Sequence, residues 1–341
     1  MTLVACFGWG PHPILIADTM VSSFGEPLEQ LPLVESMPTW NPNQRRPTSL
    51  TQKLIIASDR IAIGLAGSAN AARAFAAFVS GETRRRPLRT PDEFQKLFDA
   101  FPIEKRTELE GYLLWYEAPG SRAQIIPIGG AAFLPGSTDR EYALAAGSGA
   151  DAFREHFPAV LRCVGDGRRS QDEGIAVALS FCSYVLAQQA LNGDGLSDGW
   201  GGCFEVASFW NGRFTRVNNI RFISRSWRET DRGLELRDFE PNLIQCYERG
   251  LLLSSSPDFA FVIGSADPAF AYPTGTVSFN IERCRWLVVT LHNASTNDIS
   301  FGVRKVTSAH SPDWRITNDE FSISTEKIRE IAEKRFLFQN F

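Results

Sequence analysis

The sequence is poor in the residues that build the most common catalytic and metal centres. Its four histidines lie far apart, so no histidine can be assigned as a catalytic base from the sequence. Its six cysteines are scattered without a CxxC pair, which argues against a structural zinc site. The nucleophile-elbow motif GxSxG, the P-loop motif and the zinc motif HExxH are also missing. We therefore expect neither a metal nor a cofactor.

Long apolar runs and a strong charge bias are missing too. No run reaches the roughly 18 apolar residues of a membrane span, and no basic segment precedes an apolar stretch as in a signal peptide. The net charge of −4 gives no general attraction to nucleic acid or anionic lipid. These features predict a cytoplasmic protein that binds neither nucleic acid nor membrane.

The texture of the sequence changes near residue 216. Residues 2–215 alternate between predicted strands and helices, which is typical of an α+β or layered α/β domain. Residues 216–341 contain short β-like runs and a final predicted helix at 324–336, so we expect a β-rich C-terminal extension of unknown role. Five prolines lie within residues 24–47, and we interpret this stretch as a loop within an insertion spanning 24–50.

Several elements in the first part can be predicted individually. Apolar runs at 3–8 and 14–17 predict a hairpin, because glycine and proline separate them. The sequence Thr90-Pro91-Asp92-Glu93 predicts a helix start, with a cap, a proline and then acids near the positive end of the helix dipole. The stretch 172–191 is apolar nearly all round, which predicts a buried helix.

A hydrolase without a histidine base can use an N-terminal hydroxyl residue. The α-amine of such a residue has a pKa of about 7.7–8.0, so it can act as a base near neutral pH. Removal of Met1 would give this arrangement to Thr2. Lys53 would lower the pKa of the amine, and Asp18 would hold the lysine. Gly67 lies at a predicted strand-to-helix turn, where its N–H suits an oxyanion hole.

Ordered short motifs carry a family resemblance over residues 2–215. They are Thr2-Leu3-Val4-Ala5, Ile16-Ala17-Asp18-Thr19, Lys53-Leu54-Ile55, the run from Asp59 to Ser68, Ala146-Gly147-Ser148-Gly149, Asp172-Glu173-Gly174 and Gly201-Gly202. Their order, and the spacings from Thr2 to Asp18 and from Lys53 to Gly67, resemble the proteasome β-subunit family with its bacterial relatives of the HslV and Anbu type.

The resemblance implies a four-layer αββα sandwich of the N-terminal-nucleophile (Ntn) hydrolase type. It implies that Thr2 attacks the substrate carbonyl while its own α-amine takes up and returns the proton. Lys53, paired with Asp18, would set the electrostatics, and the Gly67 N–H would stabilise the oxyanion. Ser148 would hold the N-terminus by a hydrogen bond. We expect Asp18 to lie near the surface of a cleft, so that loss of Lys53 would leave the fold intact.

The sequence departs from the family pattern in two places. The link from Asp18 to Lys53 is longer, because it contains the insertion. In addition, Trp200 stands directly before Gly201-Gly202, where the family often has a serine preceded three residues earlier by an aspartate. Ser197 or Asp198 would supply the missing contact to the site only if the loop were shifted.

The resemblance implies a threonine-type peptidase or amidase that acts on peptide or protein inside a self-assembled homo-oligomer. Whether an ATPase or another regulator assists it is left open. Two alternatives remain. One is a non-catalytic scaffold or regulatory subunit, suggested by the altered loop and the unmatched C-terminal segment. The other is an Ntn amidohydrolase for small molecules, with the insertion capping the pocket.

Overall fold

The computed structural model describes most of the chain, and all structural statements refer to these ranges. They are residues 2–26, 45–117, 123–131, 143–164, 170–192, 195–196, 198–247, 251–256, 259–263, 270–273, 284–306, 310–311, 314–316 and 321–340. In them the protein is a mixed α+β structure with several antiparallel sheets. Within the same ranges, no helix combines the length and the apolar character needed to cross a bilayer.

Strands and helices alternate up to residue 216. The strands are β1 (Val4–Trp9), β2 (His12–Asp18), β3 (Met20–Ser23), β4 (Arg46–Leu50), β5 (Leu54–Ser58), β6 (Ile61–Gly67), β7 (Leu109–Trp115), β8 (Gln124–Gly129), β9 (Ala143–Ala146), β10 (Phe204–Trp210) and β11 (Arg213–Arg216). The helices are α1 (Ala69–Arg85), α2 (Pro91–Ala100), α3 (Ile103–Arg106), α4 (Ala150–Val164) and α5 (Gln171–Asn192).

Strands dominate after residue 216. They are β12 (Ile220–Thr230), β13 (Gly233–Tyr247), β14 (Leu251–Ser256), β15 (Phe259–Ile263), β16 (Phe270–Pro273), β17 (Trp286–Asn293), β18 (Ile299–Lys305), β19 (His310–Ser311), β20 (Trp314–Ile316), β21 (Phe321–Ile323) and β22 (Phe336–Asn340), with helix α6 (Thr325–Lys334) before the last strand. The β-rich character predicted for this segment is thus confirmed.

Two antiparallel sheets pack against each other in the first part of the chain. One has the order β11-β10-β2-β1-β9 and the other β5-β6-β7-β8. Side chains alternate along β1: Val4 and Cys6 belong to the core between the sheets, whereas Ala5 and Phe7 pack on the opposite side, toward α4 and α5. Gly64 permits the close approach of the sheets, because a Cβ there would lie 2.6 Å from Val4 Cγ1.

Helices cover the outer faces of both sheets. Phe75 and Val79 of α1, with Phe94 of α2, pack on Ile63 and Leu113 of the four-stranded sheet. Both helices begin as their sequences predict. The Ser68 hydroxyl accepts the N–H of the third residue after it, and the Thr90 hydroxyl does the same at α2.

Helix α5 is buried between two sheets. It contacts β2 and β10 of the five-stranded sheet on one side and β17 and β18 on the other. This position explains why α5 is apolar nearly all round, and it confirms the prediction of a buried helix.

The C-terminal segment forms an eight-stranded sheet in the order β16-β15-β14-β13-β12-β17-β18-β22. Ile328 and Ile331 of α6 pack against the face of this sheet that carries Ile223 and Leu287. The opposite face shares one apolar cluster with α5 and the five-stranded sheet. Because this cluster runs across residue 216, the division into domains at 2–215 and 216–341 stays a prediction.

Two local predictions are wrong. The loop predicted for 24–47 includes Arg46 and Pro47, which belong to β4; the part at 27–44 lies outside the described residues. Proline was misleading here because, within the described ranges, β4 pairs with β3 alone, and an edge strand tolerates a missing N–H. The last helix ends at Lys334 because Arg335 adopts a left-handed φ of 58°, and β22 follows.

Candidate active site

Thr2 lies two residues before the start of β1 and is only 2% exposed. Its hydroxyl donates a hydrogen bond to Asp18 Oδ1. Its main-chain nitrogen donates to Ser148 Oγ at 3.1 Å, and its carbonyl accepts the N–H of Gly149 at 3.2 Å. The pairing of β1 with β9 brings Ser148 to this position, because the turn after β9 ends beside the start of β1. The side chain and the main chain of Thr2 are therefore both held by hydrogen bonds.

Asp18 is the last residue of β2 and has no exposed surface. Its Oδ1 accepts the N–H of Leu3 at 3.0 Å, and its Oδ2 accepts the N–H of Gly201 at 2.7 Å. These hydrogen bonds and the Lys53 ammonium hold the Asp18 carboxylate in one orientation beside the Thr2 hydroxyl.

Lys53 immediately precedes β5 and is 5% exposed. Its ammonium donates to Thr2 Oγ1, to Asp18 Oδ1 at 2.5 Å and to the Met20 carbonyl at 2.6 Å. An ammonium has three N–H donors, and each has an acceptor here. Burial lowers the pKa of Lys53 below its ordinary value, while the charges of Asp18 and Glu205 oppose this decrease.

Gly67 ends β6 at the entrance of α1, as predicted, and has a left-handed φ of 93°. A Cβ at this position would lie 2.1 Å from the Glu108 carbonyl oxygen, so only glycine fits without a shift of the main chain. Gly67 and Ser148 both line a cleft of about 810 Å³, which also has walls from β3, β4 and the first turns of α1. In the described structure Thr2 does not line this cleft, but Ser148, which accepts a hydrogen bond from the Thr2 nitrogen, does.

Of the two loop residues predicted to support the site, the structure describes only Asp198. Ser197 lies outside the described residues. Asp198 is exposed, and in the described part of the chain it makes no hydrogen bond or ion pair with Thr2, Asp18 or Lys53. The N–H of Asp198 donates instead to the carbonyl of Gly195. The contact that this loop does make with the site is the main-chain N–H of Gly201.

The sequence did not indicate that Glu205 belongs to the site. This residue of β10 is fully buried, and its Oε2 accepts the N–H groups of Lys53 at 2.6 Å and Leu54 at 3.0 Å. The available signal was one carboxylate within the apolar run Cys203-Phe204-Glu205-Val206. A buried carboxylate requires partners, so an acid at such a position is itself a sign of a built site.

The geometry is suited to nucleophilic chemistry at Thr2 Oγ1. The Lys53 ammonium favours the alkoxide form of the hydroxyl that it contacts, because opposite charges attract, and Asp18 holds both groups in place. The described residues include no group of three or more His, Cys, Asp or Glu side chains that could hold a metal ion. Comparison with protein-family models gives no match, and comparison with curated proteins gives none either. The functional argument therefore depends on the site itself.

Proposed function

We propose that this protein is an Ntn hydrolase of the threonine type, a peptidase or amidase with Thr2 as the nucleophile. The observation that carries the proposal is the position of Thr2 Oγ1, which hydrogen-bonds both to the Lys53 ammonium and to the Asp18 carboxylate. Such a charge pair around a buried hydroxyl has an evident use in activation of a nucleophile. Few structural roles require it.

The packing of the first part supports a four-layer αββα architecture with a C-terminal extension. Two face-to-face antiparallel sheets, α1 and α2 on one outer side, and α4 and α5 on the other are consistent with it. The relation to proteasome β-type subunits remains our interpretation of the ordered motifs.

The proposed reaction begins when the bond before Thr2 has been cleaved and its nitrogen is a free amine. That amine takes the hydroxyl proton as Thr2 Oγ1 attacks the substrate carbonyl carbon, and the Gly67 N–H stabilises the oxyanion. The amine then gives its proton to the leaving nitrogen as the C–N bond breaks, leaving an ester on Thr2. Water attacks this ester by the same proton route, which releases the acid and restores the hydroxyl.

Each neighbour of Thr2 has one task in this scheme. The Ser148 hydroxyl orients the nitrogen of Thr2 for its task as the base, because it accepts a hydrogen bond from that nitrogen at 3.1 Å. The Lys53 ammonium lowers the pKa of the amine by like-charge repulsion, so that more of it is unprotonated near neutral pH. Asp18 keeps the ammonium in place through an ion pair of 2.5 Å.

The size of the cleft favours a second candidate of the same chemistry, an amidohydrolase for small molecules. Its volume of about 810 Å³ lies within the roughly 300–1,000 Å³ of small-molecule sites. The β3–β4 ribbon lines one wall. In either case we propose that the chain acts as a homo-oligomer in the cytoplasm, with or without an ATPase or other regulator.

Hydrolysis assays on two substrates test the proposal and separate its two forms. The purified protein is given an unfolded protein and a set of short acyl amides, with Thr2→Ala as the matched inactive control. If the wild type, but not Thr2→Ala, cleaves the unfolded protein, the result supports a peptidase. If the wild type cleaves the acyl amides and leaves the unfolded protein intact, the result supports the amidohydrolase. Equal results for wild type and Thr2→Ala on both substrates would leave the non-catalytic scaffold.

A further inference from the structure

The carboxylate of Glu205 fixes the main chain that carries the Lys53 side chain. Oε2 accepts two consecutive N–H groups, from Lys53 at 2.6 Å and from Leu54 at 3.0 Å. Glu205 itself is held in β10, which pairs with β2 so that Phe204 lies opposite Asp18. The pairing of β10 with β2 thus places Glu205 one residue from the position opposite Asp18, the ion-pair partner of Lys53.

The second oxygen of Glu205 faces the C-terminal part of the protein. Oε1 lies 3.6 Å from Arg216 Nε and accepts a hydrogen bond of 3.4 Å from the Tyr247 hydroxyl. Arg216 also donates to the Leu54 carbonyl at 2.6 Å, and its guanidinium lies 5.4 Å from the centre of the Tyr247 ring. Tyr247 is the last residue of β13 in the eight-stranded sheet. A direct chain of contacts therefore runs from that sheet to Lys53.

Glu205 acts on Lys53 through its charge as well as through its hydrogen bonds. In the described part of the chain, the charged and titratable groups around Lys53 and Glu205 are Asp18 on β2, Arg216 on β11 and Tyr247 on β13, joined by the Thr2 amine once Met1 is removed. Burial raises the pKa of Glu205 above its ordinary value, while Arg216 and the two N–H donors oppose this increase. Both oxygens of Glu205 face donors or a cation, because Oε2 accepts the two N–H groups while Arg216 and the Tyr247 hydroxyl lie at Oε1.

We propose that Glu205 is a positioning residue of the site, held by Tyr247 of the C-terminal sheet and Arg216, and that its negative charge keeps Lys53 protonated against Thr2. The catalytic part of this inference rests on the proposed function, but the effect on the Lys53 ammonium does not. The C-terminal sheet then contributes to the site without touching substrate.

The test is an NMR titration of Lys53 in protein labelled with ¹³C at the lysine ε-carbons. The Lys53 signal is identified by its loss in Lys53→Arg. In Glu205→Gln the midpoint of the Lys53 titration moves to lower pH, because a nearby negative charge has been removed. The matched control is Glu82→Gln on α1, a 44% exposed acid that pairs with Arg85, and its titration equals that of the wild type. An unchanged Lys53 midpoint in folded Glu205→Gln overturns the proposal.

A milder variant guards against failure of Glu205→Gln to fold. Tyr247→Phe removes one hydroxyl and keeps the ring beside Arg216, so the Lys53 midpoint moves in the same direction by a smaller amount. If Glu205→Gln does not fold and Tyr247→Phe titrates like the wild type, the inference fails.

Kinetics separate this inference from the proposed function. With an active wild type, Glu205→Gln lowers kcat by about tenfold or more with little change in KM, because the substrate does not contact Glu205. A wild-type kcat in that variant contradicts the positioning role. An inactive wild type contradicts only the proposed function, since the NMR titration still decides the influence of Glu205 on Lys53.

Discussion

The Lys53 ammonium lies 2.5 Å from Asp18 Oδ1, and the two side chains are 5% and 0% exposed. This ion pair is therefore buried, with the Thr2 hydroxyl bonded to both partners. Burial makes the pair sensitive to the loss of either charge, because the remaining charge would be left without its counterion in a region of low dielectric constant.

The first prediction concerns the replacement of Lys53 by alanine. We expect loss of turnover together with a decrease of about 3 kcal/mol in the free energy of unfolding, the lower end of the range for a broken buried pair. The lower end applies because the N–H groups of Leu3 and Gly201 still solvate Asp18. Urea denaturation measures the change. Lys96→Ala, at an exposed position of α2, is the control and changes stability by less than about 0.5 kcal/mol.

This prediction corrects the expectation from the sequence that an unpaired Asp18 would be well tolerated. That expectation placed Asp18 near the surface of a cleft, but the side chain has no exposed surface. A Lys53→Ala variant as stable as the wild type would contradict the buried pair.

The second prediction concerns the pH dependence of kcat/KM. Burial lowers the pKa of Lys53 below 10.5, and the ammonium form is present only below that lowered pKa. Activity therefore falls at alkaline pH with a midpoint below 10.5. On the acid side, activity rises as the Thr2 amine loses its proton, at or below its usual pKa of about 7.7–8.0. Lys53→Arg provides the control, because arginine stays charged and any residual activity lacks the alkaline decrease.

The third prediction compares two glycines. Gly67→Ala introduces a Cβ at a φ of 93° and 2.1 Å from the Glu108 carbonyl oxygen, so it destabilises the protein by about 1–3 kcal/mol or more. Gly81→Ala, inside α1 with no atom near the new Cβ, stabilises it by about 0.5–1 kcal/mol. Thermal or urea unfolding gives both values. Equal effects of the two substitutions would be incompatible with the geometry at Gly67.

The fourth prediction concerns the hydrogen bond between Ser148 and Thr2. Ser148→Ala removes the acceptor of the Thr2 nitrogen, so kcat falls by about fivefold while KM changes little, the effect of one lost hydrogen bond of about 1 kcal/mol. Steady-state kinetics on the best acyl amide measure this effect. An unchanged kcat would show that Ser148 does not orient the amine.

Local patterns account for the part of the structure that could be predicted. The hairpin of β1 and β2 followed from two apolar runs around Gly8 and Gly10, and the start of α2 followed from its cap and proline. The spacing from Thr2 to Asp18 works because Val4 pairs with Ala17, which brings both residues to the same end of the hairpin.

Contacts made by the main chain account for most of what could not be predicted. The Gly201 N–H and the Met20 carbonyl bind Asp18 and Lys53, but any residue type carries these groups. The role of Glu205 depends on the pairing of β10 with β2, a contact between segments far apart in the sequence. The eight-stranded sheet also depends on a pairing between distant segments, because β12 pairs in parallel with β17.

The most direct test of the central claim is the intact mass of the purified protein, before and after treatment with an epoxyketone, an electrophile that reacts with an N-terminal threonine. We expect a chain that begins at Thr2 and gains one adduct, which peptide mapping places on Thr2, while Thr2→Ala gains none. A chain that keeps Met1 and gains no adduct would contradict the proposed chemistry, because Thr2 would then lack the free amine that serves as its base.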